Sequence, residues 1–381
     1  MFLLPERPAD FAICCSFDLP NQRVIRNDSE RTRNDLLLTR EKYVLELLLT
    51  YYCKNTHTFY KQGLNELLAP FLILGRHGLT LTEIYLYFHN FIRNYMPTLF
   101  IDKDFRTLQV LMQLYKSLLK YFDPELSGFL EDLGIGPELY ASPWFLTLFA
   151  SKIEDISIVF NLWEAYMTEN DHLHNLFLSL ALVIVNRKRI LRTQKSGVAQ
   201  ALTELTIPTG RHLSKILEKA QSLKRSLPYS SYIHLSSYPL HSVDQLDSLL
   251  AKLEASDSLT ILPREIIMRC YPSVFNCMCF GGTCQWCTRS SKPVPLVILD
   301  CRLPEEQEAG VIPNTLLFDY ESSEFIDKVL ALRGEFHIAL MGGQVQGLLW
   351  ELRKLNVPYV GEVEGGFKDC CLLYTSDAAD E

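Results

Sequence analysis

The chain has 381 residues, of which 48% are hydrophobic and 22% charged, a balance that excludes a disordered chain and leaves room for two domains. Its formal net charge of −8 offers no electrostatic footprint for nucleic acid. The longest apolar run, Leu176 to Val185, is interrupted only by Ser179; it is too short to span a bilayer and reads as a buried helix.

At the start, Met1-Phe2-Leu3-Leu4 runs into Pro5, Glu6 and Arg7, so no apolar segment of signal-peptide length follows a basic start and a cytoplasmic protein is expected. Eleven cysteines, an odd number unevenly spread, do not form a disulfide framework in such a protein. Five of them crowd into Cys270 to Cys287.

The first 230 residues read as mostly helix. Pro20 and the polar stretch Asn21 to Asn27 place a loop ahead of Arg31, which is therefore expected near a helix start. Leu36-Leu37-Leu38 and Val44 to Leu49 give a helix leading towards Tyr60. Thr80-x-x-Glu83 is a capping-box pattern opening Ile84 to Phe88, a segment that Pro97 ends. Leu108, Leu111, Met112, Tyr115, Leu118 and Leu119 recur every three or four residues on one amphipathic face.

The character changes at Ser226 to Leu240, rich in Ser, Tyr and Pro, which reads as a connector. A short helix follows it, with Ser242-x-x-Gln245 capping Leu246, Leu249, Leu250 and Leu253. Leu296 to Asp300 and Phe336 to Leu340 are short apolar runs separated by helix-like stretches, the pattern of a small α/β domain with a parallel sheet. The last eleven residues, Cys371 to Glu381, show neither strand nor helix logic and resemble translated adapter sequence. These changes divide the chain into a helical domain at 1–230, a linker with a short helix at 231–258, an α/β domain at 259–370 and a non-native tail at 371–381.

Two motifs carry chemistry. Ile25-x-x-Asp28-x-x-Arg31-Thr32 and Tyr60-x-Gln62-Gly63 supply a guanidinium and a carboxamide able to reach into another protein's GTPase site. Charge builds on the transferring phosphoryl oxygens and a water must be held in line; an arginine in trans answers the first need, a glutamine the second. The motifs resemble the IxxDxxR and YxQG fingers of the TBC (Rab GTPase-activating) domain family. Leu139-Tyr140-Ala141-Ser142-Pro143-Trp144-Phe145 is similar to its third motif, and Phe160-Asn161-Leu162-Trp163-Glu164 stands where the family has an aliphatic-Trp-Asp sequence.

The resemblance implies an all-α domain whose catalytic residues are Arg31 and Gln62, supported by Asp28, Tyr60, Gly63 and Trp144, acting on a Rab-family GTPase that brings its own Mg-GTP. Asp28 is expected to orient Arg31 by hydrogen bonding, and Tyr60 to pack. Asn65 and Arg106 are open to contact with the GTPase or to structural roles. The bland reading of Arg31 alone is a surface ion pair.

The second domain resembles a rhodanese-like domain through Asp300-Cys301-Arg302, Glu308 to Asn314 and Glu364-Gly365-Gly366-Phe367. Rhodaneses place a cysteine thiolate in the loop after a central strand. Here that loop is Met341-Gly342-Gly343-Gln344, so the resemblance implies the fold without sulfurtransferase activity, and Cys301 reads as a buried thiol. A TBC domain joined to an inactive rhodanese-like domain is similar to a family of trans-Golgi proteins that help endosome-derived vesicles engage golgins. That family's animal members act without fingers, so a non-catalytic adaptor is the alternative to a GTPase activator. The TBC domain-containing kinase-like proteins are a second such family and fit less well, since nothing kinase-like is visible.

Two features stand outside these resemblances. Cys277-x-Cys279-x₄-Cys284-x₂-Cys287 offers four thiolates to a zinc ion, but it lacks paired C-x₂-C knuckles and reads equally as an inserted loop, so no metal or cofactor is expected. Arg187-Lys188-Arg189 with Arg192 and Lys195 reads as a solvated helix end, with attraction to a membrane surface as the other reading. TBC domains begin with helices well upstream of the arginine motif, so the helical domain is expected to be N-terminally incomplete.

Overall fold

Asn21 occupies the N-cap of the first helix among the described residues, α1 (Gln22–Arg31), so the loop ends ten residues ahead of the arginine rather than just before it. Gln22, Ile25, Asp28 and Ser29 form its buried stripe, which holds the polar run Arg26-Asn27-Asp28-Ser29 in helix despite its composition. Arg31 therefore lies at the C-terminal turn and not at a helix start, where the exposed carbonyls favour a cation. The computed structural model describes residues 16–270 (apart from 103, 170, 239, 241 and 257), 295–317, and 323–377 (apart from 344).

Four helices follow: α2 (Thr39–Thr56), α3 (Leu64–Gly75), α4 (Leu81–Tyr95) and α5 (Arg106–Phe122). The Thr80 and Glu83 capping box forms as expected, with Thr80 N–H donating to Glu83 Oε2 at 2.8 Å and Glu83 N–H to Thr80 Oγ1 at 3.3 Å. Asp102 Oδ2 accepts the Thr107 N–H at 2.8 Å and fixes the start of α5. Next come α6 (Pro124–Asp132), a short α7 (Ser142–Leu146), α8 (Ile156–Glu169) and α9 (His174–Val185). Every residue of α9 from His174 to Val183 is buried, so the long apolar run is the central helix of the domain.

Around α9 lie α10 (Arg187–Arg192), α11 (Val198–Thr203) and α12 (Gly210–Ser226), the last packed along its length. An aromatic cluster closes the core. Trp163 lies between Phe71 and Phe91, with ring centroids 5.5 and 4.6 Å away, and its indole N–H donates to Leu148 O at 3.1 Å.

The stretch read as a connector is largely helical. α12 runs to Ser226 and α13 (Tyr229–Ser236) begins three residues later. Ser230 N–H and Oγ donate to the buried Glu265 carboxylate at 2.9 and 2.6 Å, and Ser231 Oγ donates to Thr260 O at 2.6 Å. The serines that suggested a loop are thus tertiary donors. The short helix expected next is α14 (Leu246–Ala255), whose four leucines are buried where it packs along α5.

The second part is a parallel five-stranded sheet of β1 (Leu259–Ile261), β2 (Leu296–Asp300), β3 (Thr315–Leu317), β4 (His337–Met341) and β5 (Val360–Val363), in the order β1-β5-β4-β2-β3. Alternation in β4 sends Ile338 and Leu340 to one face, against α17 (Ser323–Ala331) and α18 (Val345–Lys354). Ala339 and Met341 go to the other, against α15 (Pro263–Cys270) and α19 (Gly366–Asp377). One turn, α16 (Pro304–Gln307), follows β2.

Residues 371–377, expected to lack helix logic, continue α19. Once its first turn is fixed, adding residues without Gly or Pro costs little. After β4, Gly342 has φ +130°, and a Cβ there would lie 2.7 Å from Arg302 N, so only glycine fits. Cys301 is fully buried, and burial pushes its thiol up to about 12.

The sheet is joined to the helices at the end of α5. Tyr359 N–H donates to Tyr121 O at 2.8 Å, the Tyr121 ring stacks on His337 with centroids 5.8 Å apart, and its hydroxyl meets His337 Nδ1. Replacing Trp163 with Ala should cost about 3–5 kcal/mol in urea unfolding by opening a cavity between Phe71 and Phe91. Trp163→Phe should cost about 1–2 kcal/mol, since a ring remains and one hydrogen bond is lost.

Candidate functional site

The carboxylate of Asp28 is buried and serves two partners. Oδ1 accepts Arg31 at 2.6 Å, and Oδ2 accepts the Tyr60 hydroxyl at 2.8 Å. Burial first, and then the Asp28 carboxylate, push the Tyr60 hydroxyl well above its usual range, so it stays a donor. The network extends inward: Asn65 Oδ1 lies 3.1 Å from the Tyr60 hydroxyl and accepts the Gly63 N–H at 3.1 Å, while Asn65 Nδ2 donates to Thr32 Oγ1 at 2.8 Å. Thr32 Oγ1 closes the ring on Asp28 O at 2.6 Å.

Both proposed fingers are exposed at the rim of this network. The Arg31 side chain is 60% exposed even while paired, and Gln62, two residues past Tyr60, is exposed as well. Gly63 has φ +113°, and a Cβ there would sit 3.4 Å from Leu146 O and Thr147 Cγ2, at the end of α7. The glycine thus lets the chain turn into α3 while its backbone presses on the third motif. Trp144 is fully buried and stacked on Phe149 with centroids 5.8 Å apart.

Other candidates part from the rim. Asn65 is 4% exposed and wholly engaged within the network. Arg106 pairs with Asp247 of α14 at 2.9 Å. Glu164 is exposed on α8, while its neighbour Trp163 carries the packing. Cys277, Cys279, Cys284 and Cys287 lie outside the described residues. Among the described residues no group of three His, Cys, Asp or Glu is placed to hold a metal ion, and no helix is long and apolar enough to cross a membrane.

Two residues of the site were not legible in the motifs. Arg33, at φ +43°, is nearly buried; its guanidinium pairs with Glu66 at 3.3 Å, donates to Glu154 O at 3.1 Å and also reaches Ala150 O. Burial raises the Glu66 carboxyl, and Arg33 and then Arg31 work against that. The second is Lys61, the variable position between Tyr60 and Gln62. Its ammonium is buried, donates to Leu99 O at 3.1 Å and to Asp102 O, and lies 4.1 Å from the Phe105 ring centroid. Burial pulls its pKa down, while Asp102 and Asp104 oppose the shift. A lysine amid apolar neighbours was the available signal, but nothing in sequence says which carbonyls it meets.

Arg31 and Gln62 are thus anchored from three sides: Asp28 at the end of α1, the 99–105 loop through Lys61, and the end of α7 through Gly63. Exposed guanidinium and carboxamide groups on a fixed, buried network can be delivered into a partner's site with little reordering.

Residues 16–191 match the family of the Rab-GTPase-TBC domain. The chain is 30% identical to the human TBC domain-containing protein kinase-like protein over 156 residues, 40% of this chain and 17% of that protein. It is 27% identical to the Rab GTPase-activating protein tbc-11 of Caenorhabditis elegans over 201 residues, 51% of this chain and 21% of that protein. The crystal structure of the Ypt/Rab-GAP domain of Gyp1p superposes with a TM-score of 0.49 and 15% identity, covering 56% of this chain and 78% of that one. The chain spans about a fifth of the length of these curated relatives. The human protein bears the name of the kinase-like TBC family, the one expected to fit less well.

Lys61→Met should leave two buried carbonyls without a donor and cost about 1–3 kcal/mol, with faster amide hydrogen exchange confined to the 99–105 loop and the 60–63 segment. Lys61→Arg, which keeps the donors, should recover most of that protection.

Proposed function

We propose that residues 16–191, a Rab-GTPase-TBC domain, accelerate GTP hydrolysis by a Rab-family GTPase, with Arg31 and Gln62 inserted in trans. The observation that carries this reading is the two-sided Asp28 carboxylate, which ties the arginine to the segment presenting the glutamine while leaving both side chains exposed. On docking, Arg31 neutralises charge developing on the transferring phosphoryl group and Gln62 holds the attacking water in line. The Mg²⁺ and nucleotide belong to the GTPase.

The sheet domain is read as rhodanese-like and without sulfurtransferase activity. This rests on the cysteine-free loop after β4 and on Cys301, whose thiol is buried and held neutral by burial. The pairing of the two domains resembles TBC domain family member 23 and favours a place on endosome-to-Golgi carriers at the trans-Golgi network, with golgins as further partners.

A second reading is favoured by the Arg31–Asp28 pair itself. At 2.6 Å the guanidinium is held by its own chain, as suits an adaptor that binds GTPase or golgin surfaces without catalysis. Single-turnover hydrolysis across a panel of Rab GTPases separates the two. Arg31→Ala should lower the stimulated rate by roughly 10³–10⁵ on a responding GTPase, and Gln62→Ala should also slow it, with GTPase binding retained. Equal rates with and without the protein across the panel would support the adaptor.

A further inference from the structure

The positive charge of this acidic protein is gathered in one place. Residues 187–225 hold ten Lys and Arg against only Glu204 and Glu218, whereas the rest of the chain holds 27 basic and 43 acidic residues. The fold brings this segment together on one side. Lys224, near the end of α12, pairs with Asp171 at 2.5 Å, and Gln221 donates to Glu169 at 3.0 Å, both just before α9. Since α12 packs along α9, its other end lies beside the C-terminus of α9, where α10 begins. Lys188, Arg189, Arg192 and Lys195 therefore share a surface with Arg211 and Lys215.

All six are exposed, and none has an ion-pair partner among the described residues. Of the other four cations of the segment, Arg187 pairs with Asp123 at 2.6 Å, Lys224 pairs with Asp171, Arg225 donates to Gln221 Oε1 at 3.3 Å, and Lys219 adds further positive charge on α12. The stretch between the two halves of the patch is tied to the turn that Arg33 grips. Arg33 holds Ala150 O and Glu154 O, and in the same turn Lys152 donates to Thr203 O at 2.9 Å and accepts from Thr206 Oγ1, on the loop leading into α12.

We infer that this face docks on an anionic phospholipid surface. Six long, freely rotating cations with no buried polar group to fix them suit a diffuse sheet of headgroup charge rather than one stereospecific anion, and clusters of four to eight Lys and Arg act in this way. The remainder of the molecule is strongly acidic and is repelled by the same surface, so binding is oriented. The α10–α12 face is the one that can approach.

The test is sedimentation of the purified chain with phosphatidylcholine vesicles, with and without phosphatidylserine, at low and at physiological salt. Each basic residue near such a surface contributes roughly fivefold in partitioning, so Lys188→Gln/Arg189→Gln/Arg192→Gln should weaken binding on the order of 100-fold, and Arg211→Gln/Lys215→Gln on the order of 20-fold. Binding confined to phosphatidylserine vesicles, reduced by high salt and by both variants, is the expected result. Equal binding to neutral vesicles, or no loss in either folded variant, would overturn it. So would loss of GTPase stimulation by either variant in vesicle-free solution, which would make the patch a GTPase contact, or displacement from vesicles by single-stranded RNA at equal affinity. Vesicle binding is read without any GTPase, so this inference fails or stands apart from the finger mechanism.

Discussion

A buried carboxylate needs a full complement of partners, and at Asp28 that requirement shapes the site. One oxygen takes the Arg31 guanidinium and the other the Tyr60 hydroxyl, so the last turn of α1 and the segment before α3 become a single unit. Thr32, Gly63 and Asn65 complete the ring, and the positive φ of Gly63 follows from the turn this closure demands. Removing Asp28 would free Arg31 and also leave Tyr60 with a buried, poorly satisfied hydroxyl. The positioning of Arg31 and of the Tyr60–Gly63 segment and the stability of the helical part are therefore coupled through one side chain.

Much of this was legible because the relevant signals are local. The Thr80–Glu83 box, the buried helix at 174–185 and the strands at 296–300 and 337–341 are written in caps and periodicity that a short window contains. The misreadings share another cause: tertiary contacts override composition. The polar stretch Asn21 to Asn27 looks like a loop, but the buried stripe of α1 keeps it helical from Gln22 on. Ser230 and Ser231 look like linker residues, but they satisfy Glu265 and Thr260 from a distant part of the chain. The anchoring by Lys61 and Arg33 was illegible for the same reason, since their partners are distant in the chain and, Glu66 apart, are main-chain carbonyls, which carry no sequence identity.

The sheet domain does not sit apart from the helices. The end of α5 contributes Tyr121 to a stacked and hydrogen-bonded contact with His337 and Tyr359, and α14 lies on the same helix nearer its start, where Arg106 meets Asp247. The loop before α5 is also the one Lys61 grips. α5 thus runs from the loop that Lys61 grips to the contact with the sheet.

The central claim is that Arg31 acts on the transition state and not on ground-state docking. Its most direct measurement is the affinity of the protein for a responsive Rab GTPase loaded with GDP, with and without aluminium fluoride, which completes a mimic of the transferring phosphoryl group. The account predicts binding strengthened by the fluoride complex in the wild-type chain, by an amount that Arg31→Ala abolishes while leaving binding to the GDP form unchanged. Equal affinity with and without the mimic, or a fluoride effect that survives Arg31→Ala, would contradict it.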